Sequence, residues 1–326
     1  MVWGRGGGNG RGGEEGGAMG LGLYGLVMRT TGVVALPGYT HFYLNDGVGK
    51  EYGVGLRQKL ALMRKVKRNA TAIVSATDWL EQLVLVSRIL ALPRSLKGDV
   101  VECGCFKGAS TASLSLACEM TGRRLIVCDS FEGLPEVAPE DEVHVSLEAR
   151  RYETYKKGEY RGDLEEVREN VRKYGAISCC EFVKGYFQDT LPGLTGRYAF
   201  IFLDVDLHES LRTCLVHLWP RLETYGVLFT HEAQQLDYVA RFFDRAWWQE
   251  TFGEEPPGLI GAGSGIPTGI GRGSGLGYTV KLPRDRSVTE DSYFKHFCGD
   301  PVAMQGPSRS RVEEGAAAGQ GGLVAE

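Results

Sequence analysis

Several features that would place a chain quickly are missing here. None of the eight cysteines is spaced Cys-x-x-Cys, which disfavours a zinc ribbon. No apolar stretch reaches the ~18 residues that a membrane-spanning helix needs. The nearest, 21–36, is broken by Arg29, Thr30 and Thr31 and also makes a poor signal peptide. Positive charge is not in excess: 37 Lys and Arg stand against 41 Asp and Glu, a net charge of -4. That balance is unlike a protein that works by neutralising phosphates. Prolines number 12 and glycine follows no Gly-X-Y period, so collagen is excluded. These absences describe a chain that engages neither membrane nor nucleic acid. The unpaired cysteine pattern fits a reducing, cytoplasmic setting.

Glycine, by contrast, is abundant, at 46 of 326 residues, and it gathers in 1–25, 253–277 and 299–326. Elsewhere it falls to the ordinary ~7%. With 43% hydrophobic and 10% aromatic residues the body can form a core. The expected layout is a disordered glycine-rich head at 1–20, an N-terminal extension at 21–75, one catalytic-type domain at 76–298 and a disordered tail at 299–326. The extension carries a basic run, 57–68, that reads as a solvated helix face. Its apolar residues are numerous enough to pack across a second copy, so a homo-oligomer is open.

From Asp78 onward strands and helices alternate. Residues 78–90 have helical apolar spacing behind an acidic capping residue. Short apolar strands are expected at 99–103, 124–129, 179–184, 198–204 and 226–231, with a late one at 277–282. Helices are expected at 109–120, 162–174, 211–222 and 235–252, while 130–160 reads as irregular and charged. This is the pattern of an α/β, doubly wound, Rossmann-like parallel sheet, in which ligands bind beyond the carboxyl ends of the strands.

The first strand runs into Glu102-Cys103-Gly104-Cys-Phe-Lys-Gly108-Ala-Ser110 and then a helix. Glycines there permit a sharp turn and a close approach of backbone to ligand, although a tight strand–helix turn needs them in any case. The third glycine of a dinucleotide fingerprint is absent. Asp129 ends the next strand, where a carboxylate can accept both ribose hydroxyls. An acid at the turn suits a cationic tail and repels a pyrophosphate, so the combination points to a nucleoside without phosphates.

Four ordered motifs carry a resemblance. Asp99-Val-Val-Glu-Cys-Gly-Cys-Phe-Lys-Gly108, Asp129-Ser-Phe-Glu-Gly-Leu-Pro135, Lys184-Gly-Tyr-Phe-Gln-Asp-Thr-Leu-Pro192 and Leu203-Asp-Val-Asp-Leu-His-Glu-Ser210 resemble the macrocin O-methyltransferase family over roughly 75–250. Its members are class I S-adenosylmethionine-dependent enzymes that methylate sugar hydroxyls of natural products. The resemblance implies S-adenosylmethionine as cofactor and a small-molecule acceptor. It places Glu102, Cys103, Gly104, Gly108 and Ser110 at the methionine end, Asp129 at the ribose, and Ser130 and Phe131 beside the adenine. Tyr186 to Asp189, including Gln188, would close the far side of the adenine pocket.

Methyl transfer to a hydroxyl requires an oriented alcohol that loses its proton, and a divalent cation can serve both needs. Asp204, His231 and Glu232 follow two adjacent central strands and form a candidate site for Mg²⁺ or Mn²⁺. Where the family usually shows Asp-Asp, this chain has His231-Glu232, and His208 replaces a common Tyr. Imidazole biases a metal site away from Mg²⁺; alternatively His231 is itself the general base. Asp204, His231 and His208 are the candidate catalytic residues, and Asp206 reads as a helix cap. The His-Glu replacement also leaves open an inactive nucleoside-binding relative, with a nicotinamide oxidoreductase a distant third. His217 is expected to be packed, as are Trp247, Trp248 and Phe252 unless they stack on an acceptor. Residues 130–160 and 256–267 are each either a border of the active-site mouth or a plain surface connection.

Overall fold

The computed structural model describes residues 43–141, 144–146, 151–261 and 274–283. The head, the tail and most of the glycine-rich loop lie outside the described residues. Helix α1 (Leu56–Ala72) and α2 (Trp79–Ala91) precede strand β1 (Asp99–Cys103), α3 (Ala109–Thr121) and β2 (Leu125–Asp129). A two-stranded ribbon, β3 (His144–Ser146) with β4 (Arg151–Glu153), interrupts the segment expected to be irregular. Then come α4 (Leu164–Tyr174), β5 (Cys180–Lys184), α5 (Phe187–Thr190), β6 (Tyr198–Leu203), α6 (His208–Leu218), β7 (Leu222–Thr230), α7 (Leu236–Arg241), α8 (Arg245–Phe252) and β8 (Gly277–Val280).

Six strands form one sheet in the order β5-β2-β1-β6-β7-β8. The first five are parallel, as expected, and β8 closes the edge antiparallel to β7. Alternate residues face opposite sides of a strand, and both sides are buried here. Val100, Val127, Phe200, Phe202 and Phe229 join one core with α1, α2 and α3. Val101, Cys103, Cys128, Ile201, Leu203 and Leu228 join the other, with α6, α7 and α8. Continuous apolar strands such as Tyr-Ala-Phe-Ile-Phe-Leu are what a doubly covered parallel sheet requires.

Over its described residues, 43–75, the extension packs onto the domain. Leu62 and Val66, one α1 face apart, are buried in the first core together with Tyr43, whose hydroxyl donates to the Lys59 carbonyl at 2.6 Å. Each such aliphatic burial is worth about 1.5–3 kcal/mol. The apolar stripe expected to pack across a partner is thus covered, over 56–72, by the chain's own α2 and α3, while most of the basic residues of 57–68 stay exposed.

Two boundaries differ from expectation for local reasons. The helix expected over 235–252 is broken at 242–244, because Asp244 caps a new helix by accepting from the Trp247 amide at 3.1 Å. Trp248 bridges the break, donating its indole N–H to the Arg241 carbonyl at 2.7 Å. The helix expected over 211–222 starts earlier, at His208, and tightens into a 3₁₀ turn over Trp219–Arg221, where Pro220 cannot continue an α-helix.

Parallel pairing levels the strand ends. Cys103 lies opposite both Cys128 and Leu203, and Leu203 lies opposite Thr230. Gly104, Asp129, Asp204 and His231 therefore emerge along one edge of the sheet.

Candidate functional site

A cavity of about 270 Å³ opens along that edge. Its wall includes Gly104, Asp129, Ser130, Gln188, Asp204, His231 and Glu232, which were expected, and also Asp206, Ser210, Gln234 and Gln235.

The cofactor side is built by the turn after β1. Gly104 has φ +80°, and a Cβ there would collide with the Asp204 carbonyl. Only glycine lets this turn lie against the end of β6. Gly108 caps α3 at φ +84°, with Val167 3.0 Å from where a Cβ would sit. Asp129 ties the turn to β2: its Oδ2 accepts from the Cys105 amide at 2.8 Å and its Oδ1 from the Phe131 amide at 2.7 Å. Burial pushes the Asp129 carboxyl above its usual range, against the pull of those N–H groups. Each oxygen keeps a further lone pair for a ligand hydroxyl.

Glu102 is wholly buried beneath the first turn of α3, and neither carboxylate oxygen makes a hydrogen bond within normal geometry. Burial pushes it up to about 8, with the Ser110 and Thr111 hydroxyls opposing and the nearby Asp204 and Asp129 adding to the rise. Glu102, Gly108 and Ser110 stand behind the cavity wall and not in it. Cys103 faces the opposite side of the sheet, in the second core.

The adenine side is partly rearranged. Ser130 lines the cavity and fixes the following turn, donating to the Gly133 carbonyl at 2.7 Å. Phe131, at φ +55° and 1% exposed, turns inward against Phe182. Gly133, Leu134 and Pro135 take the wall position expected for Phe131. Across the cavity Tyr186, Phe187 and Gln188 contribute, and Asp189 does not. Phe106, Tyr155 and Tyr160 add an aromatic wall, with Phe106 and Tyr160 edge-to-face at 5.8 Å. Part of 130–160 therefore borders the mouth.

On the other side stand the ionisable groups. Asp204 follows β6, its amide donating to the Cys103 carbonyl at 2.9 Å. His231 follows β7, its amide donating to the Leu203 carbonyl at 3.0 Å. Its ring lies between two carboxylates, with Nδ1 3.3 Å from Asp204 Oδ1 and Nε2 3.3 Å from Glu81 Oε2. Burial pulls the His231 pKa down, but the charges of Asp204 and Glu81 outweigh it and hold the pKa well above the ordinary value. His231 was expected to be a free base or a metal ligand; here each ring nitrogen faces a carboxylate instead.

Glu232 is 3% exposed and three of its four lone-pair sites are occupied. Its Oε1 accepts from the Val205 amide at 2.9 Å and the Asp206 amide at 3.1 Å, and its Oε2 accepts from the Thr230 hydroxyl at 2.5 Å. Asp204, His231 and Glu232 are neighbours, then, but not a converging ligand set, and among the described residues no group of three such side chains is arranged to hold a metal ion. The donors present do not fit the divalent cation expected there.

His208 is not in the cavity wall; its Nε2 lies 3.5 Å from an Arg241 nitrogen. The capping role expected of Asp206 falls to Asp141, which accepts from the amides of His208 at 2.7 Å and Glu209 at 3.2 Å. Asp206, at φ +57°, lines the cavity instead. Trp247, Trp248 and Phe252 cluster with one another and with Trp219, away from the cavity. The glycine-rich loop reaches the site at its end, where a Cβ on Gly275 would press on the His231 carbonyl and ring.

Glu81 and Asp141 were not anticipated. Glu81 has a visible local signal, Asp78-x-x-Glu81, the capping box that starts α2. Its second role depends on where α2 packs, which spacing does not encode.

The comparisons follow the same lines. The Macrocin-O-methyltransferase (TylF) family model matches residues 80–250. A tetracenomycin-class rhamnosyl 4'-O-methyltransferase of Streptomyces olivaceus is 41% identical over 140 residues, 41% of this chain and 52% of that protein. Mycinamicin III 3''-O-methyltransferase of Micromonospora griseorubida is 28% identical over 141 residues, 42% and 55% of the two chains. The matched region thus spans about half the length of these relatives. Among solved structures, the O-methyltransferase NovP overlaps 71% of this chain and 81% of its own at 20% identity and a TM-score of 0.44, a likeness too low to carry functional weight. On the family match, which covers more than half of its residues, the chain belongs to the macrocin O-methyltransferase family.

Proposed function

We propose that the protein is an S-adenosylmethionine-dependent O-methyltransferase whose acceptor is a hydroxyl of a glycosylated small molecule. One observation carries the reading: a single cavity joins the β1 turn and Asp129, suited to a nucleoside, with Asp204 and Asp206, suited to a hydroxyl. One relative described above is named as the 4'-O-methyltransferase of a rhamnosyl tetracenomycin, and the other as the 3''-O-methyltransferase of mycinamicin III.

The residues fit the cofactor. Gly104 leaves a cradle that any Cβ would fill. Asp129 has lone pairs for the ribose hydroxyls. Glu102 is a buried carboxylate without a hydrogen bond, and a cationic aminoacyl tail nearby would favour its charged form. When bound, S-adenosylmethionine supplies a methyl group on a positively charged sulfur.

The chain's own groups do the rest. The polar wall of Asp206, Ser210, Gln234 and Gln235 orients the acceptor. Asp204 would take the proton of the hydroxyl held at that wall, leaving its oxygen free to receive the methyl group that the bound cofactor would supply. The aromatic wall of Phe106, Tyr155 and Tyr160 excludes water. The cytoplasmic setting remains part of this proposal; among the described residues no helix is long and apolar enough to cross a membrane.

The test is transfer of label from methyl-labelled S-adenosylmethionine to a panel of rhamnosylated and other deoxysugar glycosides. Labelled product that Asp204→Ala abolishes supports the reading. Label on none of them, with the cofactor bound, favours the binding-only relative.

A further inference from the structure

The acids after β6 and β7 imply a divalent cation, yet the space between two of the carboxylates around them is filled. His231 faces Asp204 with one ring nitrogen and Glu81 with the other, each at 3.3 Å. A neutral imidazole has one N–H and one lone pair, so it would turn a lone pair toward one carboxylate; only the doubly protonated ring donates to both. Glu81 cannot swing aside, because its Oε2 also accepts from the Asp78 amide at 2.9 Å. Its Oε1 accepts from the Gly275 amide at 2.9 Å and the Ser274 hydroxyl at 3.1 Å. The remaining acid, Glu232, is largely committed, with Oε1 held by the Val205 and Asp206 amides and Oε2 by the Thr230 hydroxyl, which leaves it a single open lone pair. Mg²⁺ and Mn²⁺ need several oxygen ligands with open lone pairs in near-octahedral array, and here the acids point at a ring and at amides.

We propose that this centre works without a divalent metal: the His231 ring fills the space between Asp204 and Glu81, and Glu81 and His231 are positioning residues that hold Asp204 at the cavity wall. Both ring nitrogens face carboxylates at 3.3 Å, so His231 acts on the acceptor only through Asp204. Four distant segments converge in the array: the start of α2, the ends of β6 and β7, and the approach to β8. The kinetic part of the inference rests on the methyl-transfer reading; the metal part does not.

The experiment is a Mn²⁺ titration of the full chain followed by electron paramagnetic resonance, paired with kinetics in EDTA. The unmodified chain is expected to leave Mn²⁺ free. His231→Asp, which removes the cation and adds a carboxylate beside Asp204 and Glu81, is expected to bind one equivalent. EDTA should leave turnover unchanged. Glu81→Gln should lower kcat by about 10²-fold, as for a misplaced reacting group, with KM for S-adenosylmethionine unchanged. A Glu81 that only stabilises the helix would instead lower Tm and spare kcat below the melt. One equivalent of Mn²⁺ bound by the unmodified chain and lost in Asp204→Ala would overturn the proposal, as would an EDTA-sensitive rate restored by Mg²⁺. Absence of turnover with every acceptor would count against methyl transfer, and the Mn²⁺ titration would still decide this inference.

Discussion

Gly104 offers a test in which two effects of one substitution can be separated. Adding a methyl group there has a conformational cost, because φ is +80° and a left-handed backbone disfavours an L side chain by about 1–2 kcal/mol. It has a second cost, because the new Cβ would collide with the Asp204 carbonyl and the rigid strand ends can only separate. Overpacking of this kind adds about 1–3 kcal/mol. Gly122, which caps the end of α3 at φ +69°, has open space around its Cβ position and therefore isolates the first cost. At about 2–4 °C per kcal/mol for a domain of this size, Gly122→Ala should lower Tm by roughly 2–8 °C. Gly104→Ala should lower it by roughly 4–20 °C on the same scale, and by more than Gly122→Ala in a parallel melt. It should also weaken S-adenosylmethionine at a temperature where both variants are folded, since Asp204 and the cofactor turn move apart. Equal melting temperatures and unchanged cofactor affinity would refute the close approach of β1 and β6 on which the site is built.

Asp141→Ala should destabilise by about 0.5–2 kcal/mol, the usual range for a lost helix cap, measured by denaturant unfolding, because α6 loses the acceptor for two of its first amides. Asp129→Asn should weaken S-adenosylmethionine at least tenfold in calorimetry, an amide being able to replace only one of the two acceptor oxygens. Glu102 gives a pH signature. Its folded pKa is raised from 4.5 to about 8, so the folded state holds a proton that the unfolded chain has lost, and stability falls as pH rises from about 4.5 to about 8. Glu102→Gln should flatten that fall in melts recorded across the window, and an unchanged slope would place the titration elsewhere.

Much of this architecture was legible because it is local. Apolar runs such as 198–203, bounded by turn residues and spaced by amphipathic helices, define parallel strands without reference to anything distant. The level ends of those strands then follow from parallel pairing, which is why Gly104, Asp129, Asp204 and His231 could be assigned to one edge. What escaped was set by tertiary contacts. Phe131 neighbours the cofactor in sequence, but a positive φ turns its ring into the core and leaves Gly133 to Pro135 at the cavity. Asp206 precedes a helix, yet Asp141 reaches across from a different segment and supplies the cap. His231 looked like a ligand because its nearest acids in sequence invite a metal; the decisive partner, Glu81, lies 150 residues away. Spacing reports which groups leave a sheet together, and packing decides which of them remain free to act.

The central claim is that the cavity at these strand ends holds the nucleoside of S-adenosylmethionine, and its most direct test is calorimetric titration of the full chain with that cofactor and, separately, with NAD. The account predicts one S-adenosylmethionine bound per chain, weakened at least tenfold by Asp129→Asn, and no heat from NAD. Binding of NAD in place of S-adenosylmethionine, or an affinity for S-adenosylmethionine indifferent to Asp129, would contradict it.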